Sequence, residues 1–208
     1  MKKSLAVCAL LLAAGSAAFA QTAEGSISSF RKPAAEIEAI TLAAPTPTVS
    51  YNASYTKIAL ASMKSRMVPI NELAPNEARI GGLRINTENF SLNREAMNEK
   101  IEVVDVKTGV AVEVEGIPAG AKIRHITWAP SADTFCFTNT TEKSVDLYKV
   151  DFISGKPVAK KISTSRVNAV VGTPFVFLSN TEILYKTVPA SHTQTPKMTA
   201  IFSNVIQE

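Results

Sequence analysis

Three observations predict an all-β fold made of antiparallel meanders. Ile123–Trp128 and 134–138 are short runs rich in β-branched and aromatic residues, and Ala129-Pro130-Ser131-Ala132-Asp133 between them has the composition of a turn. The alternating run 145–151 follows, and Ile153-Ser154-Gly155-Lys156 closes it, so a third strand continues the hairpin. The unit also repeats. Val104-Asp105-Val106-Lys107-Thr108-Gly109 corresponds to Val150-Asp151-Phe152-Ile153-Ser154-Gly155 at an offset of 46 residues. Phe135-Cys136-Phe137 falls on Glu182-Ile183-Leu184 at nearly the same offset, with Asn180 and Thr181 in the turn ahead, and 49–60 is a further copy of strand, polar turn and strand. A period in the forties built from short strands is the signature of propeller blades. The expectation is a partial β-propeller of about two to three four-stranded blades over residues 43–208. A β-sandwich or an irregular sheet, which also spaces its turns evenly, is the competing architecture.

From the start of the chain, Met1-Lys2-Lys3 is basic, and residues 4–17 form an apolar, small-residue run too short to span a bilayer as a mature helix. Ala18-Phe19-Ala20 puts small residues where a signal peptidase needs them. The sequence thus predicts a signal peptide over 1–20, cleaved between Ala20 and Gln21, and export to the periplasm or beyond the cell. An uncleaved anchor is the alternative. Cys8 leaves with the signal, so Cys136 remains as a lone cysteine and the fold must rest on its core rather than on a disulfide. Flanked by Phe135 and Phe137 on a strand, Cys136 reads as a buried, inert thiol. At 46% hydrophobic and 19% charged residues the composition is that of an ordinary globular chain. The formal charge of +4 falls to about +2 once Lys2 and Lys3 are removed, which calls for neither nucleic acid nor an anionic membrane as partner.

Residues 21–42 read as a leader, polar and small at first, with a short helix after Pro33 that carries Ile37, Ile40 and Leu42. The prolines of Pro45-Thr46-Pro47 end that helix and lead in extended form into the first strand. Residues 62–98 are an insertion without a clear period, centred on Ile80-Gly81-Gly82-Leu83-Arg84-Ile85-Asn86. Its paired glycines predict a tight turn or a close backbone approach. A phosphate-binding loop is the sharper reading, and it lacks the Lys-Ser/Thr pair and the following helix.

Side chains able to carry chemistry are sparse. The histidines are His125, on a strand beside Arg124, and His192, in a loop-like stretch after Ser191; adjacency in sequence does not make a nucleophile and base. Two distant histidines and one mature cysteine offer no metal-ligand spacing. Glu113 and Glu115 share one face of a strand and read as a solvated edge. No catalytic residue, metal ligand or cofactor site is assigned. Asn-x-Ser/Thr sequons at Asn52, Asn89 and Asn139 matter only in a eukaryotic secretory pathway.

Pro45-Thr46-Pro47-Thr48-Val49-Ser50, the segment from Glu72-Leu73-Ala74 to Asn86, Gly116-Ile117-Pro118-Ala119-Gly120-Ala121-Lys122-Ile123 and Trp128-Ala129-Pro130 resemble, in this order, the amino-terminal propeller of secreted prolyl oligopeptidase-family serine peptidases. The likeness is to their glutamyl-endopeptidase-like branch and covers most of residues 30–208. It implies a propeller that shields an active site and admits short or flexible peptides, with basic side chains favouring acidic ones. Arg84, Arg94 and Arg124 are the candidates for that gating role. The sequence departs from the pattern twice. The hairpin glycine of Ser-Pro-Asp-Gly is missing from both Asn52-Ala53-Ser54-Tyr55 and Ala129-Pro130-Ser131-Ala132, so those turns need another geometry or accept strain. The 208 residues also hold no Gly-x-Ser-x-Gly, the mark of the family's catalytic hydrolase domain. The chain is therefore expected to be the non-catalytic propeller portion of such a peptidase, truncated and inactive alone. Peptides would be its partners only within a full-length enzyme, and open strand edges would invite self-association. The alternative is a stand-alone exported β-sheet binding or scaffold protein.

Overall fold

Alternating apolar residues give β-strands throughout, as the computed structural model shows over the residues it describes, 33–65, 67 and 77–190. The chain divides into two units, 1–41 and 42–208. In the first, helix α1 (Ala35–Leu42) carries Glu36 and Glu38 in its first turn, where the helix dipole favours them. None of its residues is buried, and Ile37, Ile40 and Leu42 all face solvent. No helix among the described residues is long and apolar enough to cross a membrane.

The second unit holds two four-stranded antiparallel meanders. The first has the order β1 (Thr48–Tyr51), β2 (Lys57–Ser62), β6 (Lys100–Asp105), β7 (Ala111–Glu113); the second runs β8 (Ile123–Trp128), β9 (Phe135–Thr140), β10 (Val145–Ile153), β11 (Lys156–Lys161). A two-stranded hairpin, β12 (Phe175–Phe177) and β13 (Ile183–Tyr185), follows. Between β2 and β6, the expected insertion carries a small sheet of its own, β3 (Ala78–Ile80), β4 (Leu83–Asn86) and β5 (Ser91–Leu92). Strand β1 touches β8 and β7 touches β11, so equivalent strands of the two meanders stack on each other. This is a partial, propeller-like all-β fold, as the repeat predicts. The offset of 46 residues has a direct structural meaning, because 104–109 and 150–155 both turn a third strand into a fourth.

Two apolar layers hold the stack together. Ala59, Ala61, Ile101 and Val103 from the first meander meet Ile123, Trp128, Phe135 and Phe137 from the second. The alanines are small enough to let the larger ring systems in, and Trp128 and Phe135 pack tilted with centroids 4.7 Å apart. On the other face of β9 and β10, Cys136, Val145 and Leu147 meet Phe175 from the last hairpin. Strand β9 is thus buried on both faces, which explains its unbroken Phe-Cys-Phe-Thr-Asn run. Burying each of its phenylalanines is worth about 1.5–3 kcal/mol.

One glycine fixes how closely the meanders approach. After β7 the chain crosses to β11, where Glu115 N donates to Pro157 O at 2.9 Å and Ala159 N to Glu115 O at 2.8 Å. A Cβ on Gly116 (φ +81°) would stand 2.5 Å from Ala159 O. Only glycine fits there.

The turns lacking a glycine are solved in two ways. In 52–56 the chain accepts a left-handed Tyr55 (φ 56°) and uses the side chain of Asn52, 2% exposed, as the organiser. Asn52 Oδ1 accepts from Thr56 N and Lys57 N, while Nδ2 donates to Ser54 and Thr56 hydroxyls. In 129–134 Ala129 N donates to Thr134 O at 2.9 Å, and no residue there has positive φ.

Candidate functional site

The small sheet exists because Gly81 and Gly82 form a two-residue turn with both φ positive (57° and 83°), the geometry that matches strand twist in a hairpin. A Cβ at either would meet nothing, so backbone conformation rather than close packing requires the glycines. Strand follows the turn on both sides, which removes the phosphate-loop reading.

That hairpin gathers arginines. Glu77, whose side chain is 8% exposed, precedes β3, and its Oε1 accepts from Arg79 Nε at 2.9 Å and from Arg84 Nη1 at 2.7 Å. Arg94 Nε lies 3.9 Å from Glu77 Oε2, an oxygen that makes no hydrogen bond. Burial alone would raise the Glu77 carboxyl, but the hydrogen bonds from Arg79 and Arg84 and the charges of Arg84 and Arg94 outweigh it and hold it below the usual range. Arg84, Arg94, Asn93 and Glu95 line a cavity of about 280 Å³. Arg124 reaches the same place through Glu95, with Nη2 to Oε2 at 3.0 Å.

The three arginines singled out in the sequence therefore meet: Arg84 and Arg94 on the cavity wall and Arg124 behind Glu95. Four arginines gather on two carboxylates, Arg79, Arg84 and Arg94 on Glu77 and Arg124 on Glu95. The buried amide Nδ2 of Asn93 has no hydrogen-bond partner. Arginine side chains and an amide donor thus gather at one cavity, the type of group that suits an anion such as a carboxylate. Glu77, Asn93 and Glu95 gave no sign in the sequence, because their part depends on a hairpin that folds three short strands onto each other.

Strand β8 is bulged just after Arg124. Between Arg124 and Thr127 the register of β8 against β9 shifts, with His125 left-handed at φ 54°. Thr138 Oγ1 donates to Arg124 O at 3.1 Å, so it accepts from His125 Nδ1, 3.0 Å away. Burial, together with the charges of Arg124 and Lys186, lowers the imidazole to about 4 and keeps it neutral. His125 is a structural histidine of the bulge. Ser191 and His192 lie outside the described residues.

Cys136 is fully buried, and burial pushes its thiol up to about 12. Glu113 pairs with Lys100 and Glu115 with Lys156 at 3.1 Å each, exposed ion pairs of a solvated edge. Among the described residues, no three His, Cys, Asp or Glu side chains lie together in a metal-binding group. Asn52, Asn89 and Asn139, the sequon asparagines, are 2–4% exposed, and each side chain is hydrogen-bonded within the fold.

No family model and no solved structure matches the chain. It is 27% identical over 184 residues to a rice (Oryza sativa subsp. japonica) protein described as a probable glutamyl endopeptidase, chloroplastic; this covers 83% of the chain and 19% of that protein. An Arabidopsis thaliana protein of the same description is 26% identical over 180 residues, 81% of the chain and 18% of that protein. The chain thus spans about a fifth of the length of these relatives. Over about four fifths of its own length, it is similar to peptidase-related proteins.

Proposed function

We propose that these residues are the substrate-gating, non-catalytic propeller portion of an exported prolyl oligopeptidase-like serine peptidase, with no peptidase activity of their own. The observation that carries this reading is the arginine group around the small cavity. Arg84 and Arg94 stand on its wall, and Arg124 joins them through its ion pair with Glu95 on the same wall. The relatives are described as glutamyl endopeptidases, and an arginine cluster is the natural complement of a glutamyl carboxylate. The gate would favour acidic peptides and leave bond cleavage to a hydrolase domain, since no Gly-x-Ser-x-Gly occurs in the 208 residues. Residues 1–20 would direct export and be removed before Gln21.

The test is incubation of the full chain with peptides that contain internal glutamyl residues. No cleavage is expected. Cleavage that co-purifies with the chain and is blocked by a serine-directed reagent would overturn the reading.

A further inference from the structure

At the end of the meanders that carries the turns after β1, β6, β8 and β10, the inter-blade core opens into a cavity of about 490 Å³. Its walls are apolar, from Val103, Val110, Val112 and Phe152. The charged residues lining it are Lys57, Asp105 and Asp133, one cation against two carboxylates. Each carboxylate has one oxygen fixed by the fold. Asp105 Oδ1 accepts from Lys107 N, Thr108 N and the Thr108 hydroxyl, and Asp133 Oδ1 accepts from Asn52 Nδ2 at 2.7 Å. The second oxygen of each faces Lys57, at 3.7 Å for Asp105 and 3.8 Å for Asp133. These are charge contacts longer than a hydrogen bond, so both oxygens keep acceptor capacity.

Lys57 displays the chemistry the cavity favours. Its ammonium stands between two carboxylates and 5.2 Å from the centre of the Phe152 ring. One negative charge remains uncompensated beside apolar walls. We propose that this cavity is a binding site for a primary ammonium carried on an apolar body, held by Asp105 and Asp133 at its charged end and by Val110, Val112 and Phe152 along its stem. A cavity of this volume, mostly apolar with a few convergent polar groups, has the usual make-up of a small-ligand site. The site is separate from the arginine group and does not depend on its role, because the two cavities share no lining residue.

Calorimetric titration of the full chain with phenethylammonium and with its neutral analogue 2-phenylethanol tests this. The ammonium is expected to bind saturably and about tenfold more tightly than the alcohol, the worth of one charge-assisted hydrogen bond. Asp133→Asn should remove most of that difference. Because Asp133 also holds a turn, Val110→Trp serves as the second variant: it fills the cavity from an exposed position, and should abolish binding while the melting temperature is kept. A tripeptide amide, Phe-Gly-Gly, separates the sources of the ammonium, since tighter binding than phenethylammonium supports a peptide amino terminus and weaker binding a free amine. Equal binding of the alcohol, absence of saturation, or binding unchanged in a folded Val110→Trp chain would overturn the proposal.

Discussion

Asn52 Nδ2 donates to Asp133 Oδ1 at 2.7 Å, across 81 residues of sequence. The bond joins the first turn of one meander to the first turn of the next. The next step is made by Ser131, whose N and Oγ lie 3.0 and 3.2 Å from Asn180 Oδ1 in the turn of the last hairpin. Three equivalent turns are thus linked side chain to side chain, and the stack is tied at that end by polar contacts as well as by its core. In the first of these turns Asn52 takes over the organising part of the missing hairpin glycine.

Asn52→Ala would strand the Thr56 and Lys57 amides and leave Asp133 without its donor. Each hydrogen bond that the buried Asn52 side chain makes to these partly exposed groups is worth about 0.5–1.5 kcal/mol net. Denaturant unfolding should show a fall in stability of at least that size, whereas Ser131→Ala, at an exposed link, should cost less.

Gly116→Ala and Gly155→Ala separate close approach from backbone strain. Both glycines are left-handed at φ +81°, but a Cβ at Gly155 meets nothing and one at Gly116 meets Ala159 O at 2.5 Å. Gly155→Ala should cost about 1–2 kcal/mol from conformation alone. Gly116→Ala should cost clearly more, as read from chemical melts of the two variants side by side.

Acid should destabilise the fold in two stages. His125 is neutral in the fold, lowered to about 4 chiefly by burial, while the unfolded chain protonates near 6.5. Between these values the unfolded state binds more protons, so stability is full above pH 6.5 and falls as the pH drops toward 4. Glu77, depressed by its arginines from an ordinary 4.5, adds a further loss below that value. Melting temperature against pH should be flatter between 6.5 and 4 in His125→Asn, since asparagine tolerates the left-handed backbone. An unchanged slope would remove His125 from the account.

Cys136 should resist thiol reagents in the native protein and react once denaturant exposes it. Its burial on β9 and its raised pKa both suppress the thiolate. Its labelling rate therefore reports opening of the layer formed with Leu147 and Phe175.

Much of the fold is legible in the sequence because strand alternation and turn composition are local signals. The correspondence of Val104-to-Gly109 with Val150-to-Gly155 marks equivalent hairpins, and Phe135-Cys136-Phe137 announces a strand buried on both faces. The three-stranded sheet within 62–98 was not legible, since its strands are two to four residues long and too short to show a period. The arginines stood out by type, but the convergence of Arg84 and Arg94 on Glu77 depends on the fold around the Gly81-Gly82 turn, and Arg124 joins the group only through Glu95. Asn52 appeared as a sequon and in a turn lacking its glycine, but its link to Asp133 spans a distance that no local pattern encodes.

The central claim, that Arg84 and Arg94 form a gate for acidic peptides, is tested most directly by fluorescence anisotropy of two labelled peptides that differ by glutamate or glutamine at one position. The full chain should bind the glutamate peptide about tenfold more tightly, as one charge-assisted contact would give, and Arg84→Gln with Arg94→Gln should erase the preference. Equal binding of the two peptides by the native chain, or a preference that survives loss of both arginines in a folded protein, would contradict it.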